Sequence, residues 1–195
     1  MDTKGEFVLR RLVIITVGKT HSGKTTFARA LEKELQNSMV IDQDNHAEFI
    51  NSYYKALQPT QGPNTLKHAI YKLVVHYAIE QTNYHLIICN TNRSRIDRSF
   101  LFEELFPKDD FIQIIVHFDI PYEVLQGRVT ESQRSTNIFR GAYSNFVEVL
   151  QKQQTDSLKD DVMDPVEDEA DHLFVITDNT QCESVILEIL QIARQ

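Results

Sequence analysis

The chain of 195 residues has a formal net charge of −8, two cysteines and the composition of an ordinary globular protein. This acidic balance argues against a general nucleic-acid binder, and no apolar run is long enough to cross a membrane. The first residues do not read as a signal peptide, so we expect a cytoplasmic protein with one domain over residues 1–195. Cys89 and Cys182 lie far apart in the sequence, so we expect neither a disulfide nor a cysteine metal pair.

The strongest local pattern follows the first predicted strand. Residues 11–17 are mostly β-branched and apolar, which is typical of a buried strand, and residues 24–36 carry apolar side chains at helical spacing. Between them, residues 18–25 read G-x-x-x-x-G-K-T, the pattern of a phosphate-binding loop. This order of strand, glycine-containing loop and helix predicts a bound nucleotide.

The expected chemistry of the loop follows from its residue types. Gly18 and Gly23 allow backbone conformations that turn amide groups toward phosphate oxygens, at the positive end of the following helix. We expect Lys24 to contact the β- and γ-phosphates of ATP and act in catalysis, and the Thr25 hydroxyl to bind Mg²⁺. His21 is expected to be a variable loop position. The predicted nucleotide-binding residues are Gly18, Lys19, Thr20, His21, Ser22, Gly23, Lys24, Thr25 and Thr26.

Two aspartates follow the second predicted strand, residues 39–41, and precede a predicted helix over residues 47–56. A carboxylate at this place can take the proton of an attacking hydroxyl or help to hold Mg²⁺. We predict that Asp44 has the first role and binds the acceptor, and that Asp42 has the second. Either residue can instead serve as a turn or helix-cap residue.

The rest of the chain continues to alternate between predicted helices and strands, which indicates a three-layer α/β fold: a mainly parallel five-stranded sheet with helices on both faces. Polar residues that follow the strands should then meet at one edge of the sheet. They are residues 20–25, Asp42, Asp44, residues 90–93 and Asp119. A long helix at 64–81 has a predicted core face of Leu66, Ile70, Leu73, Val74, Tyr77 and Ala78. The other predicted elements are strands at 85–89, 111–118 and 173–177, and helices at 95–105, after Pro121, at 142–153 and around 185–190.

Two groups of arginines follow the third and fourth strands. Arg128, Arg134 and Arg140 lie in an expected small helical lid, about residues 121–155, from which arginines can neutralise the charge of a transferred phosphoryl group. We predict that Arg128 and Arg134 are catalytic. The acidic stretch at 156–171 is interpreted as a solvated connection. The residues predicted to bind a phosphate or carboxylate of a second substrate are Asn92, Arg93, Arg95 and Arg98.

In this order, the motifs resemble the small P-loop kinases of the polynucleotide kinase, gluconate kinase and zeta-toxin type, a group of AAA-type ATP-binding proteins. The loop at 18–25 matches strongly, residues 40–44 resemble the segment with the acceptor-side Asp, and residues 89–92 resemble a D-x-T-N turn. Residues 117–121 resemble the entry to the lid helix, and residues 165–171 resemble a late P…E-A-D segment. The resemblance covers nearly the whole chain.

The sequence departs from this pattern at Asn90, where many relatives have Asp. A neutral amide can bind a metal-bound water but lacks the charge of a carboxylate. The resemblance implies an ATP- and Mg²⁺-dependent kinase that transfers the γ-phosphoryl group to a hydroxyl of a small-molecule acceptor. Asp44 and the arginines at 93–98 favour this function over a nucleotide-binding regulator or slow ATPase without an acceptor. The acidic charge argues mildly against a 5′-hydroxyl nucleic-acid kinase, and the motifs do not name the acceptor.

Overall fold

A computed structural model describes residues 10–59, 61–139, 141 and 143–195 of the chain, and at its centre lies a five-stranded sheet. The strands lie in the order β2-β3-β1-β4-β5, and every neighbouring pair is parallel. The predicted parallel α/β sheet is therefore confirmed. The strands are β1 (Arg11–Gly18), β2 (Ser38–Asp42), β3 (His85–Cys89), β4 (Phe111–Phe118) and β5 (His172–Ile176).

The central position of β1 follows from its apolar sequence. It pairs with β4 along its full length, from Arg11 opposite Phe111 to Gly18 opposite Phe118, and with β3 on its other side. Successive side chains of a strand point to opposite faces of a sheet. Leu12 and its neighbour Val13 are both fully buried, each in a different core cluster. The sheet therefore needs a helical layer on each face.

The helices supply these two layers. Helices α1, α5, α6 and α7 pack on the face of Leu12, and α3 packs with the segment after α4 on the face of Val13. The helices of the described residues are α1 (Lys24–Glu34), α2 (Gln43–Tyr53), α3 (Thr65–Gln81), α4 (Arg95–Phe100), α5 (Tyr122–Thr130), α6 (Phe146–Asp156) and α7 (Cys182–Ile192). Helix α4 continues as a π-helical turn over Leu101–Leu105, and 3₁₀ turns lie at Lys55–Leu57, Glu167–Glu169 and Asn179–Gln181. Within the part of the chain that the structure describes, every helix is too short or too polar to cross a membrane.

The buried face of α3 differs from the prediction. Tyr71, Val75 and Ala78 are buried, whereas Leu73 and Tyr77 are 69% and 65% exposed. The prediction was right for Ala78, which is buried, and for Val74, which packs against the core, but wrong for Leu73 and Tyr77. Helix α3 carries apolar residues around much of its circumference, so helical spacing alone does not select the face that meets the sheet.

The acidic stretch at 156–171 is more than a solvated connection. Glu169 forms an ion pair with Arg98, with 2.7 Å between Oε2 and Nε, and both side chains are buried. Asp171 Oδ2 accepts a hydrogen bond of 2.9 Å from the backbone N–H of Gln113. The interpretation was wrong at these two carboxylates, because their partners lie far away in the sequence.

Two sequence expectations lie outside the described residues: Arg140, and the start of a helix at Ala142. In the structure α6 begins at Phe146, and the side chain of Asn145 caps it by accepting a hydrogen bond of 3.0 Å from the N–H of Glu148. Helix α2 begins at Gln43, directly after β2, and not at residue 47. Asp42 caps this helix, so Asp44 lies in its first turn.

Candidate functional site

The loop of residues 18–25, here called the P-loop, connects β1 to α1 in a conformation that requires glycine. Gly18 and Gly23 have φ angles of +145° and +106°. A Cβ atom on Gly18 would lie 2.8 Å from the carbonyl oxygen of Phe118. Helix α1 begins at Lys24, so its first unpaired N–H groups face the loop. This is the backbone arrangement that binds phosphate at a helix N-terminus.

The ammonium group of Lys24 lies over the P-loop. Its Nζ donates hydrogen bonds to the carbonyl oxygen of Lys19, at 2.5 Å, and to Ser22 Oγ, at 3.2 Å. Burial lowers the pKa of Lys24 to about 8, although nearby acidic groups, among them Asp44, oppose this shift. A buried cation whose charge is only partly compensated favours an anionic ligand.

Oxygen donors suitable for a hard cation meet beside the P-loop. The Thr25 hydroxyl donates to Asp42 Oδ2 at 3.4 Å, and Cys89 Sγ lies 3.6 Å from Thr25 Oγ1. Burial, with the charge of Asp44 in addition, raises the pKa of Asp42. Burial also raises the pKa of Cys89 to about 11, so the sulfur stays a neutral thiol. A buried carboxylate beside a hydroxyl fits Mg²⁺, which prefers oxygen ligands, and the thiol contributes no ligand.

Asp44 lies on the side of the site formed by α2. Its Oδ2 accepts a hydrogen bond of 2.6 Å from Arg134 Nη2, and both side chains are more than a third exposed. The guanidinium of Arg134 also lies 5.4 Å from the ring centre of Phe146. Two residues predicted to be catalytic are therefore in direct contact, one from α2 and one from the segment between α5 and α6.

The segment of residues 121–155, here called the lid, also contacts the P-loop directly. Arg128 Nη1 donates to the carbonyl oxygen of His21 at 3.2 Å, and Gln153 Oε1 accepts from the N–H of Thr20 at 2.7 Å. His21 Nε2 lies 2.7 Å from Ser132 Oγ. Burial lowers the pKa of His21 to about 4, and the charges of Arg134, Lys24 and Arg128 lower it in the same direction. His21 is thus an uncharged contact between loop and lid, a role that the sequence did not indicate.

These groups line one cavity of about 700 Å³. Its lining includes residues 20–25 of the P-loop and Thr26, together with Asp42, Asp44 and residues 89–91. Gly18 and Lys19, although predicted to bind nucleotide, do not line it. The wall that α2, α3 and the lid contribute was not predicted from the sequence. Those residues are Ala47, Asn64, Lys67, Ile138, Phe139, Tyr143, Phe146, Val149 and Gln153.

One of the missed groups had a recognisable sequence signal. Asn64 precedes the long helix and caps it by accepting a hydrogen bond of 3.2 Å from the N–H of Lys67. An Asn before an apolar helix is a common start signal, and it places the first turn of α3. Phe139 and Tyr143 gave no such signal, because they lie in an irregular segment without periodicity.

Asn179 contacts the P-loop from outside the cavity, and the sequence did not indicate this contact. It lies after β5 and its Nδ2 donates a hydrogen bond of 3.0 Å to the carbonyl oxygen of Ser22. A Cβ atom on Gly23 would clash with this nitrogen unless the Asn179 side chain moved. Asn179 thus packs closely against the P-loop at Gly23.

The arginines predicted to hold a second substrate do not line the cavity. Arg98 is fully buried, and besides Glu169 it donates to the carbonyl oxygens of Asn92 and Arg93, both at 3.1 Å. Its donors therefore stabilise the turn after β3. Arg95 is exposed on α4 and lines two other surface cavities.

Arg93 and Asn92 have structural contacts as well. Arg93 donates to the carbonyl oxygen of Gln153 at 2.8 Å and to Ser157 Oγ. Asn92 is buried with a φ of +45°, and its Nδ2 donates to the carbonyl oxygen of Thr16 at 3.0 Å. In the structure these side chains help to fix the turn that carries Asn90 and Thr91. That they bind a second substrate stays a prediction.

The fold is similar to that of several solved kinase structures. A putative kinase from Chloroflexus aurantiacus is 19% identical, with a TM-score of 0.67 over 96% of this chain and 98% of that chain. Shikimate kinase from Bacteroides thetaiotaomicron is 17% identical, with a TM-score of 0.57 over 94% and 99%. The APS kinase CysC of Mycobacterium tuberculosis, solved with AMPPNP and APS, is 17% identical, with a TM-score of 0.55 over 92% and 98%.

Comparison with curated protein sequences gave no significant match. A family model described as an AAA domain, in contrast, matches residues 13–159, which span β1 to the end of α6 and so include the P-loop, Asp44 and the lid. The chain therefore belongs to this AAA domain family and has the α/β fold of the P-loop kinases.

Proposed function

We propose that the protein is an ATP-dependent kinase that transfers the γ-phosphoryl group to a hydroxyl of a small-molecule acceptor. The observation that carries this proposal is the shared cavity: the P-loop, Lys24, Asp44 and Arg134 all line it. A nucleotide-binding regulator needs the P-loop but has no need for a second carboxylate and a lid arginine beside it. Phosphoryl transfer needs all of them, because it depends on positioning and charge stabilisation.

In this proposal the P-loop amides and Lys24 hold the phosphates of ATP. Lys24 exchanges its contacts with Lys19 and Ser22 for phosphate oxygens, which offset its buried charge better than neutral oxygens do. Thr25 and Asp42 would hold Mg²⁺, which supplies charge neutralisation between the phosphates when it is bound. Asn90, which also lines the cavity, can contact a metal-bound water through its amide.

Asp44 orients the acceptor and takes its proton. Its carboxylate accepts the hydrogen bond of the acceptor hydroxyl, so the oxygen is directed toward the γ-phosphate and loses its proton to Asp44 as the new bond forms. Arg134 lies close enough to share its guanidinium between Asp44 and the equatorial oxygens of the transferred group. Arg128 holds the P-loop at His21 and contributes positive charge from the lid.

The experiment measures the ATP dissociation constant, acceptor-dependent ADP formation and acceptor-free hydrolysis for the wild type and Asp44→Asn. The acceptors are gluconate, shikimate, adenosine phosphosulfate, an aminoglycoside and a 5′-hydroxyl oligonucleotide, at saturating Mg²⁺. The matched control is Asp119→Asn, an exposed aspartate after β4 that does not line the cavity. Loss of a general base costs on the order of 10²–10⁴-fold in rate.

The expected result is a loss of acceptor phosphorylation in Asp44→Asn with nearly unchanged ATP affinity, while Asp119→Asn retains wild-type rates. An equal loss of ATP binding and activity would instead assign Asp44 to nucleotide or metal binding. If no acceptor raises ADP formation above the acceptor-free rate in the wild type, the function is that of a regulator or slow ATPase.

A further inference from the structure

We propose that the protein has a second binding site, which takes a small organic cation of the alkylguanidinium or alkylammonium class. The site is a surface cavity of about 480 Å³, here called the α4 cavity, between α4, its π-helical turn and the 3₁₀ turn at Glu167–Glu169. Its described lining residues are all different from those of the P-loop cavity. The inference therefore goes beyond the proposed kinase function and does not depend on it.

A buried acceptor without a partner belongs to the wall of the α4 cavity. Gln113, on β4, is only 2% exposed, and its Oε1 has no hydrogen-bond partner among the residues that the structure describes. Its Nε2 donates to the carbonyl oxygens of Phe102, at 3.2 Å, and Phe106, at 2.8 Å. These bonds fix the orientation of the amide, since the reverse orientation would place Oε1 against two other acceptors. Burial of an unpaired amide oxygen costs free energy that an N–H group of a ligand would recover.

The π-helical turn over Leu101–Leu105 explains why an amide stands at this position. The N–H of Phe106 donates to the carbonyl oxygen of Leu101, five residues earlier, at 2.9 Å. The carbonyl oxygens of Phe102 and Phe106 are bound instead by Gln113. Single π-helical turns are frequent at functional sites. The wall of the α4 cavity is therefore a specific feature of the fold and not an irregularity of its surface.

The carboxylates of the wall favour a positively charged ligand. Glu103 and Asp168 line the α4 cavity, and within the described part of the chain neither of them forms an ion pair. Lys108, in contrast, is already paired, with 3.2 Å between its Nζ and Asp171 Oδ1. A guanidinium or ammonium ion carries several N–H donors and a positive charge, so it suits both a buried amide oxygen and nearby carboxylates.

Arg95 is the other basic residue of the described wall, and its charge acts on Glu169. Burial would raise the pKa of Glu169, but the hydrogen bond and charge of Arg98, the N–H of Val166 and the charge of Arg95 hold it below its ordinary value. The Arg95 side chain is exposed on α4, so solvent and salt screen its repulsion of a bound cation. Glu103 and Asp168 thus remain for the ligand.

The test is an NMR titration of the ¹⁵N-labelled full chain at constant ionic strength. The probes are propylguanidinium, its neutral isostere propylurea, and butyrate, which would instead favour the basic residues of the wall. The N–H signals of Ser99, Phe102 and Lys108 report on the α4 cavity. Those of Gly23 and Lys24 report on the P-loop cavity.

The variants separate the carboxylates from the amide oxygen. Asp168→Asn and the double variant Glu103→Gln with Asp168→Asn remove the negative charges of the wall. Glu104→Gln and Glu167→Gln are the matched controls, because these neighbouring exposed carboxylates do not line the α4 cavity. A further variant at Gln113, Gln113→Met, removes the buried acceptor at similar side-chain length. If this variant does not fold, the carboxylate variants decide the question alone.

We expect propylguanidinium to bind in the α4 cavity about tenfold more tightly than propylurea, as is usual for charge-assisted hydrogen bonds, and to leave the P-loop signals unchanged. Asp168→Asn should weaken its binding about threefold and the double variant about tenfold, because each exposed carboxylate contributes little. A folded Gln113→Met should also lose about tenfold in affinity, whereas both controls should bind as the wild type does.

Five results would overturn the inference. They are the absence of saturable shifts with propylguanidinium, shifts confined to the P-loop signals, equal or tighter binding of propylurea or butyrate, undiminished affinity in the double variant, and undiminished affinity in a folded Gln113→Met.

Discussion

Replacing Arg98 with Met should strongly lower the stability of the protein. Any effect on acceptor binding should be a consequence of this loss of stability. The guanidinium of Arg98 is fully buried and forms four hydrogen bonds, two to Glu169 and one each to the carbonyl oxygens of Asn92 and Arg93. Met keeps the apolar stem of the side chain, so the variant isolates the loss of the charged group. It leaves the Glu169 carboxylate, whose side chain is 7% exposed, without its partner.

The magnitude follows from the burial of this pair. Removal of one member of a buried ion pair costs about 3–5 kcal/mol, and we take about 3 kcal/mol because Glu169 keeps some access to water. Unfolding entropy is about 2.1 cal/mol/K per residue, or about 0.4 kcal/mol/K for this chain, so Tm should fall by about 7 °C. Calorimetry on the wild type and Arg98→Met measures this shift. Arg95→Met is the control, because Arg95 is exposed on the same helix.

The pH dependence provides a second check on the same contact. Burial alone would raise the pKa of Glu169, but the hydrogen bond and charge of Arg98 lower it below its ordinary value near 4.5. The pair therefore contributes stability above about pH 4.5 that is lost as the pH falls through the pKa of the folded state. The difference in Tm between wild type and Arg98→Met should shrink at low pH. A surface substitution changes Tm by no more than about 2 °C. If the Tm of Arg98→Met at neutral pH stays this close to that of the wild type and the KM for the acceptor rises, Arg98 is a substrate ligand and our reasoning fails.

Three further outcomes test the nucleotide end of the cavity. Lys24→Met should lose most of the thermal stabilisation by MgATP. In the wild type, the pKa of Lys24, about 8 without ligand, should rise when phosphate binds. ATP binding should therefore take up a proton above pH 8 and weaken as the pH increases. Calorimetry in buffers of different ionisation enthalpy detects this proton, and its persistence in Lys24→Met would contradict the assignment. Arg128→Ala should lower kcat more than it raises the KM for ATP, and Arg128→Lys should restore it only in part, so an unchanged kcat would remove Arg128 from the mechanism. Gly23→Ala should cost about 1–3 kcal/mol of stability and weaken MgATP binding, because of its φ of +106° and the close approach of Asn179 Nδ2. Gly127→Ala, inside helix α5 with open space around it, should leave MgATP binding unchanged and raise stability by up to about 1 kcal/mol.

The strands and helices were the part of the structure most readily predicted from the sequence. The β3 and β4 bounds agree with their predicted ranges, because each strand is a short apolar run bounded by polar or turn residues. The P-loop was predictable for a different reason: its glycine spacing and position between strand and helix reflect a backbone requirement that few other loops share. Helix faces and helix starts were harder to predict: the buried face of α3 and the first residue of α2 both differed from the prediction.

The far side of the candidate site could not be predicted in the same way. The sequence places three arginines after β3, but it does not show that Glu169, 71 positions after Arg98, takes one of them into the core. Lys67 and Phe139 reach the cavity only because α3 and the lid fold over the sheet edge. Such contacts depend on tertiary packing, which a local pattern does not encode.

The central position of β1 has a consequence for synthesis on the ribosome. Among the five strands of the sheet, β1 is made first, but its neighbours are β3 and β4, which end at Cys89 and Phe118. Until those residues have left the exit tunnel, a run of apolar residues with unpaired backbone groups remains without its native partners. Pairings between distant segments fold slowly, and exposed apolar strands are the segments that aggregate or bind chaperones. The same strand that organises the finished sheet therefore makes the nascent chain vulnerable until Phe118 has left the exit tunnel.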